Sequence, residues 1–228
     1  MRTAAVLPVK RFGSAKQRLA PLLGTGSRHA LAQAMFQDVL SSLRKVDAIE
    51  RVVIVASEPS VEFAADEQVV LLPDDVQDGQ SAATATGIRW AMDRGFDRVL
   101  LVPGDTPLLV SDELTALLDG AAADGTQVVI VPDRHEEGTN ALLMSPPDAI
   151  QPSFGPGSLV RHRKAAEDAG VAHRVERVPS LGFDVDTEDD LAVVAAAIEQ
   201  GRVVAQNTRG ALRQLDRAGA RHPAGAET

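Results

Sequence analysis

The chain has no cysteine, and its 228 residues include only one tryptophan and six phenylalanines. Without cysteine there is no disulfide scaffold, no thiol nucleophile and no zinc–thiolate site. The sparse aromatics offer no obvious interface patch, so the oligomeric state stays open. No apolar run approaches the ~18 residues needed to span a bilayer. Met1–Val9 is a short strand pattern lacking the longer apolar core of a signal peptide. A cytoplasmic protein with no membrane partner is therefore expected. The five histidines show no metal-ligand spacing and have no evident nucleophilic serine partner, so none is assigned a catalytic role. Neither the Walker pattern nor Gly-x-Gly-x-x-Gly occurs. The net charge of -9, with no broad basic stripe, argues against nucleic acid as a partner. An anionic substrate must therefore meet a local positive site or a bound cation.

What is present is an alternation of strand and helix patterns. Short Val-, Leu- and Ile-rich runs at Thr3–Val9, Arg51–Ala56, Val69–Leu72, Arg98–Val102 and Val128–Val131 read as buried strands. Between them, helical spacing appears over Arg28–Val46 with Ser27 as cap, over Ser81–Arg94 and over Ser111–Asp124. Later patterns suggest strands at Thr139–Met144, His173–Val178 and Leu181–Val185, and helices at Ser158–Ala169 and Glu188–Gln200. This order predicts an α/β fold with a mostly parallel central sheet and helices on both faces. There is no internal repeat. One domain is expected over residues 1–204, followed by an Arg-, Ala- and Gly-rich tail, 205–228, that is partly disordered beyond a short helix.

The chemistry concentrates in carboxylates. Asp184 and Asp186 are two apart, so in an extended segment both project from one face, with Cα atoms roughly 6.6 Å apart. Asp105 follows the Arg98–Val102 run, at the usual ligand edge of an open parallel sheet. Three carboxylates at two such positions suggest a magnesium–nucleotide site. The plainer alternatives are a helix capped by Thr187 with acidic residues in its first turn, and a simple turn at Gly104-Asp105.

Two further segments carry potential anion sites. Lys10, Arg11, Lys16 and Arg18 follow the first strand, and a loop leaving a parallel strand can aim amides and lysines at phosphate. Otherwise they form a solvated loop. Phe154-Gly155-Pro156-Gly157-Ser158 before a helical run could form an anion-binding helix N-terminus with Ser158 as cap, or simply a capped turn.

Taken in order, these residues resemble the 2-phospho-L-lactate guanylyltransferase family, which includes phosphoenolpyruvate guanylyltransferases of coenzyme F-420 biosynthesis. The carriers are Pro8-Val9-Lys10 with Ala15–Leu19, Gly104–Leu108, Gly138-Thr139-Asn140, Phe154–Ser158 and Phe183–Thr187. The resemblance spans roughly residues 3 to 200. It implies a Rossmann-like, GT-A type nucleotidyltransferase fold and magnesium at Asp105, Asp184 and Asp186. It points to Thr139, Gly155 and Ser158 for a phosphorylated three-carbon acid, with Lys10 near the phosphates. The family often has Gly-Leu-Asn where this chain has Gly79-Gln80-Ser81, so Gly79 and Ser81 are the nucleotide-binding candidates there.

The implied reaction transfers GMP from GTP to the acid's phosphate and releases pyrophosphate. An ionised phosphate needs no strong base, so positioning and charge neutralisation by three aspartates, magnesium, Lys10 and Lys16 suffice. Phosphoenolpyruvate is the favoured acceptor, on composition typical of high-GC bacteria, with 2-phospho-L-lactate next. Open alternatives are another base or acceptor such as 3-phosphoglycerate, and a non-catalytic nucleotide-binding regulator. Asp184-Val185-Asp186-Thr187 also matches the Asp-x-Asp-x-Thr of haloacid-dehalogenase-like phosphatases, but too little chain follows it for that core.

Overall fold

Runs of branched apolar residues bury both faces of a strand, which is what the centre of a helix-covered sheet requires. A computed structural model describes residues 1–74, 79–201 and 204–217. Among them, one sheet holds β1 (Thr3–Val9), β2 (Ile49–Ala56), β3 (Val69–Pro73), β4 (Arg98–Leu101), β5 (Val128–Pro132), β6 (Thr139–Met144) and β7 (His173–Val175). The order is β3-β2-β1-β4-β6-β5-β7. Only β6 is antiparallel to its neighbours, β4 and β5. The helices are α1 (Thr25–Leu43), α2 (Gly79–Asp93), α3 (Ser111–Asp124), α4 (Ser158–Ala169), α5 (Glu188–Glu199) and α6 (Gln206–Arg217).

The two-residue period of β1 divides the core. Ala5, Leu7 and Val9 pack with Phe36 and Val39 of α1 and Leu114 and Leu117 of α3. Ala4 and Val6 face Ala83, Ile88 and Ala91 of α2 and Ala166 of α4. The α2–β1 approach is close enough that a Cβ on Gly87 would lie 2.4 Å from Val6 Cγ1. Glycine is what permits that packing.

Several local expectations are corrected. The first helix starts at Thr25, with Gly24 as an extended N-cap, rather than after Ser27. Ser81 and Ser111 lie inside their helices, and Ser158 follows the N-cap Gly157. Leu181–Val185 is not a strand. Pro179–Leu181 is a single 3-10 turn, and the Val185 N–H then donates to the Asp105 carbonyl at 3.1 Å. The Asn140 amide takes up the Leu181 carbonyl at 2.7 Å, so this backbone is satisfied without a ladder.

The tail holds the short helix that its sequence allowed. Gln206–Arg217 is a docked helix whose Leu212 and Leu215 join Leu31 and Met35 of α1 in a third apolar cluster. Buried Asp38 of α1 accepts hydrogen bonds from the N–H groups of Asn207, at 3.1 Å, and Thr208, at 2.7 Å. Its carboxylate thereby satisfies orphan donors at the α6 N-terminus. Residues 218–228 of the expected tail lie outside the described residues.

Asp38→Ala leaves the buried Thr208 amide without an acceptor and should cost about 1–3 kcal/mol. The expected readout is a lower melting temperature with earlier proteolytic cleavage near residue 206. An unchanged melting temperature would show that apolar packing alone docks α6.

Candidate active site

In chain order β1, β2 and β3 step outward in one direction, and β4 then returns to the other side of β1. Open α/β sheets bind ligands at such a switch point, beyond the carboxyl ends of the strands. A cleft of about 560 Å³ lies there. It is lined by Pro8 near the end of β1, Lys10 just after it, Ser57 after β2, Asp74 after β3, and Gly104 and Asp105 after β4. Gly79 and Gln80 at the start of α2, together with Lys16 and Asp186, complete its polar wall.

One cation organises the floor. Lys16 adopts a left-handed conformation, φ 57° and ψ 41°, which is uncommon for a residue with a Cβ. Its ammonium is hydrogen-bonded to Asp105 and lies 3.0 Å from Asp186 Oδ1. Burial alone would lower the Lys16 pKa, but the charges and hydrogen bonds of both aspartates outweigh it and hold it up at about 12. Asp184 is turned to Asn140, whose amide donates to it at 3.1 Å. Burial, then the charge of Asp105, raises the Asp184 pKa against that hydrogen bond. Asp186 leads into α5 beside a reciprocal capping box between Thr187 and Asp190. The capped-helix alternative and the carboxylate-site reading thus describe adjacent parts of one segment.

Among the described residues no three carboxylates converge as a preformed metal cluster. Asp105 and Asp186 instead meet around an ammonium. The hard carboxylate oxygens gathered there are of the donor type that divalent cations such as magnesium take.

The acceptor candidates form a second cluster beside the first. Thr139 opens β6 directly before Asn140, so successive residues address the two clusters. The Thr139 N–H donates to Ser158 Oγ at 2.9 Å. Thr139 Oγ1 meets His162 Nδ1 at 2.9 Å, and the Ser153 N–H donates to His162 Nε2 at 2.8 Å. Gly155 has φ +103°, a glycine conformation, with open space where a Cβ would project. The guanidinium of Arg161 donates to the carbonyls of Ser153, Phe154 and Pro156, which ties this loop to α4.

Of the two nucleotide candidates, Gly79 faces the cleft. Ser81 does not: its hydroxyl accepts from the Phe154 N–H at 3.0 Å. Lys10 is exposed at the cleft wall. Asn140, His162, Ser57 and Asp74 carried no role in the sequence reading. For Ser57 and Asp74 the available signal was their place just after β2 and β3. His162 carries no such signal, because only folding brings Thr139 and Ser153 to its ring.

A switch-point cleft with carboxylates on two loops, set on this strand order, defines the nucleotidyltransferase class. A solved structure described as a nucleotide-diphospho-sugar transferase, from Desulfovibrio desulfuricans G20, superposes with a TM-score of 0.74 at 20% identity. That match covers 95% of this chain and 96% of the other. The family described as guanylyl transferase CofC like matches residues 3–204, and the chain belongs to it. A phosphoenolpyruvate guanylyltransferase of Conexibacter woesei is 45% identical over 216 residues, covering 94% of this chain and 97% of that one. A 2-phospho-L-lactate guanylyltransferase of Methanothermobacter thermautotrophicus is 34% identical over 195 residues, covering 85% and 84%. No helix among the described residues is long and apolar enough to cross a membrane.

Burial, and secondarily the charge of Arg161, pushes the His162 pKa down to about 4. The unfolded chain takes up this proton below its ordinary value of about 6.5, whereas the folded chain resists until about 4. His162 therefore removes stability as pH falls through that window, by up to about 1.4 kcal/mol per pH unit. His162→Gln should show a shallower loss of melting temperature from pH 6.5 to 4 than the parent chain. Parallel curves would mean that the ring is protonated in the folded state.

Proposed function

We propose that the chain transfers GMP from GTP to the phosphate of phosphoenolpyruvate, releasing pyrophosphate. The observation that carries this reading is the Lys16 ammonium bound between Asp105 and Asp186 at the strand-edge cleft. It joins positive charge for a triphosphate to carboxylates for a metal at one place. The 45% identity to a phosphoenolpyruvate guanylyltransferase favours that acid over 2-phospho-L-lactate.

An oxygen of the acid's phosphate forms a bond to the α-phosphorus of GTP. The bond from that phosphorus to the α–β bridging oxygen breaks, and its electron pair leaves with pyrophosphate. The attacking oxygen is already ionised near neutral pH, so no general base is assigned. Lys10 and Lys16 hold the phosphates in line, and Gly79 lets the start of α2 approach the nucleotide closely. Ser81 contributes by fixing Phe154 and hence the acceptor loop. Thr139, Gly155 and Ser158 receive the acid. Asp105, Asp184 and Asp186 would hold magnesium, which would supply charge neutralisation for the triphosphate. The setting for such chemistry is the cytoplasm, and the product belongs to coenzyme F-420 biosynthesis.

Pyrophosphate release should be measured with four nucleoside triphosphates against phosphoenolpyruvate, 2-phospho-L-lactate and 3-phosphoglycerate, with magnesium. The highest turnover is expected for GTP with phosphoenolpyruvate, and none without an acid. GTP binding with no turnover against any acid would favour a regulator, and phosphate release from the acid alone a phosphatase. Asp184→Asn and Asp186→Asn should each lower turnover on the order of 10²-fold or more, Asp184→Asn with a melting temperature near the parent's and Asp186→Asn with a lower one, because it removes a partner of buried Lys16. Undiminished release by Asp184→Asn would overturn the metal assignment.

A further inference from the structure

His162 is wholly buried, yet both ring nitrogens are engaged. Nε2 accepts the Ser153 N–H at 2.8 Å, so its lone pair is in use and it carries no proton. A neutral ring then has its proton on Nδ1, where it points at Thr139 Oγ1, 2.9 Å away. Thr139 Oγ1 accepts that hydrogen bond, so its own proton is left to donate elsewhere. Ser158 Oγ likewise accepts the Thr139 N–H, leaving the serine proton as a donor. A chain of directed hydrogen bonds thus turns two hydroxyls into donors of fixed sense, the polarity that recognises an anion. The ring itself is held edge-on by Phe154, with centroids 5.2 Å apart, and the Phe154 N–H is tied to Ser81.

We propose that His162 is a positioning residue that sets the polarity of the Thr139 hydroxyl, making it a hydrogen-bond donor to the phosphorylated acid. The inference rests on the reading that Thr139 meets that acid. His162 acts only through Thr139 and does not touch the reacting atoms. The geometry separates its two bonds by which ring atom makes them. An asparagine amide reaches the Nδ1 position and can still donate to Thr139. A glutamine reaches the Nε2 position and keeps the Ser153 contact while losing the one to Thr139.

The test is steady-state pyrophosphate release by the full chain with GTP, phosphoenolpyruvate and magnesium, alongside melting temperature. His162→Gln should raise the KM for phosphoenolpyruvate about ten-fold and leave the KM for GTP within about two-fold, as expected for one lost hydrogen bond to an ion. His162→Asn should stay near the parent in both. Thr139→Val should match His162→Gln, and the double variant should be no worse than Thr139→Val alone, since both changes remove one interaction.

If Thr139→Val weakens the acid selectively but His162→Gln does not, the inference fails while the acceptor site stands. If Thr139→Val leaves the acid's KM unchanged, the acceptor reading fails and takes the inference with it. Equal effects of His162→Gln and His162→Asn on both substrates, tracking melting temperature, would reduce His162 to a packing role and overturn the proposal. A measurement on the unaltered chain decides the matter independently of any variant's folding. The nitrogen-15 spectrum of the histidine rings should show the Nδ1–H tautomer for His162, and an Nε2–H tautomer would overturn it.

Discussion

The architecture converges on the ammonium of Lys16. It is buried to 6% side-chain exposure, where an unpaired cation would be untenable, and is held charged by Asp105 and Asp186. Those three residues come from the loop after β1, the loop after β4 and the approach to α5. The backbone bond from Val185 to Asp105 runs beside them. Charge compensation thus closes the floor of the cleft, while the uncommon backbone conformation at Lys16 aims its side chain inward. Removing one partner of such a set strands the others, so the constraint acts on the segment as a unit.

The sheet determines where that unit can form. Reversal of strand order at β1 leaves a gap between the loops beyond β1 and β4, and the helices that cover both faces cannot fill it. The antiparallel β6 then carries Thr139 and Asn140 to the same edge, although it runs against its neighbours. Because β6 enters the sheet where β4 leaves it, its first residues face the end of β4. Asn140 reaches Asp184, and Thr139 reaches the loop before α4. One reversed strand therefore brings a second set of polar groups beside the carboxylates.

Much of this was legible in the residues. The buried parallel strands announced themselves through Val, Leu and Ile, because burial on both faces admits little else. Asp105 could be placed by following its strand to the end. Leu181–Val185 misled because its apolar residues serve irregular packing: Leu181 ends a 3-10 turn, and Val185 enters the cluster with α5 and α6. The docking of α6 was hidden for another reason. Its N-terminal partner, Asp38, lies on a helix remote in sequence, and nothing local to Gln206–Arg217 reveals that carboxylate. Pairing around Lys16 was equally non-local: the sequence put Lys16 near the aspartates as a cation for phosphate, but not as the ammonium that Asp105 and Asp186 hold between them.

The two clusters stabilise polarity by different means, and this bears on how the site functions. Around Lys16, opposite charges compensate one another. On the proposed function, an incoming polyphosphate would exchange partners with that set, because each contact there is an ion pair. Around the His162 ring, directed hydrogen bonds to Ser153 and Thr139 do the ordering, with the Arg161 cation holding the adjoining loop. A neutral ring suits that place, since a buried imidazolium would lack a counter-ion and would oppose the acceptor bond from Ser153. The Lys16 cluster can therefore exchange its ion pairs, whereas the His162 cluster is ordered by packing and hydrogen-bond direction. On the proposed in-line transfer, a highly charged nucleotide would be drawn to the region of exchangeable charge, while a small acid would meet hydroxyls whose orientation is fixed beforehand.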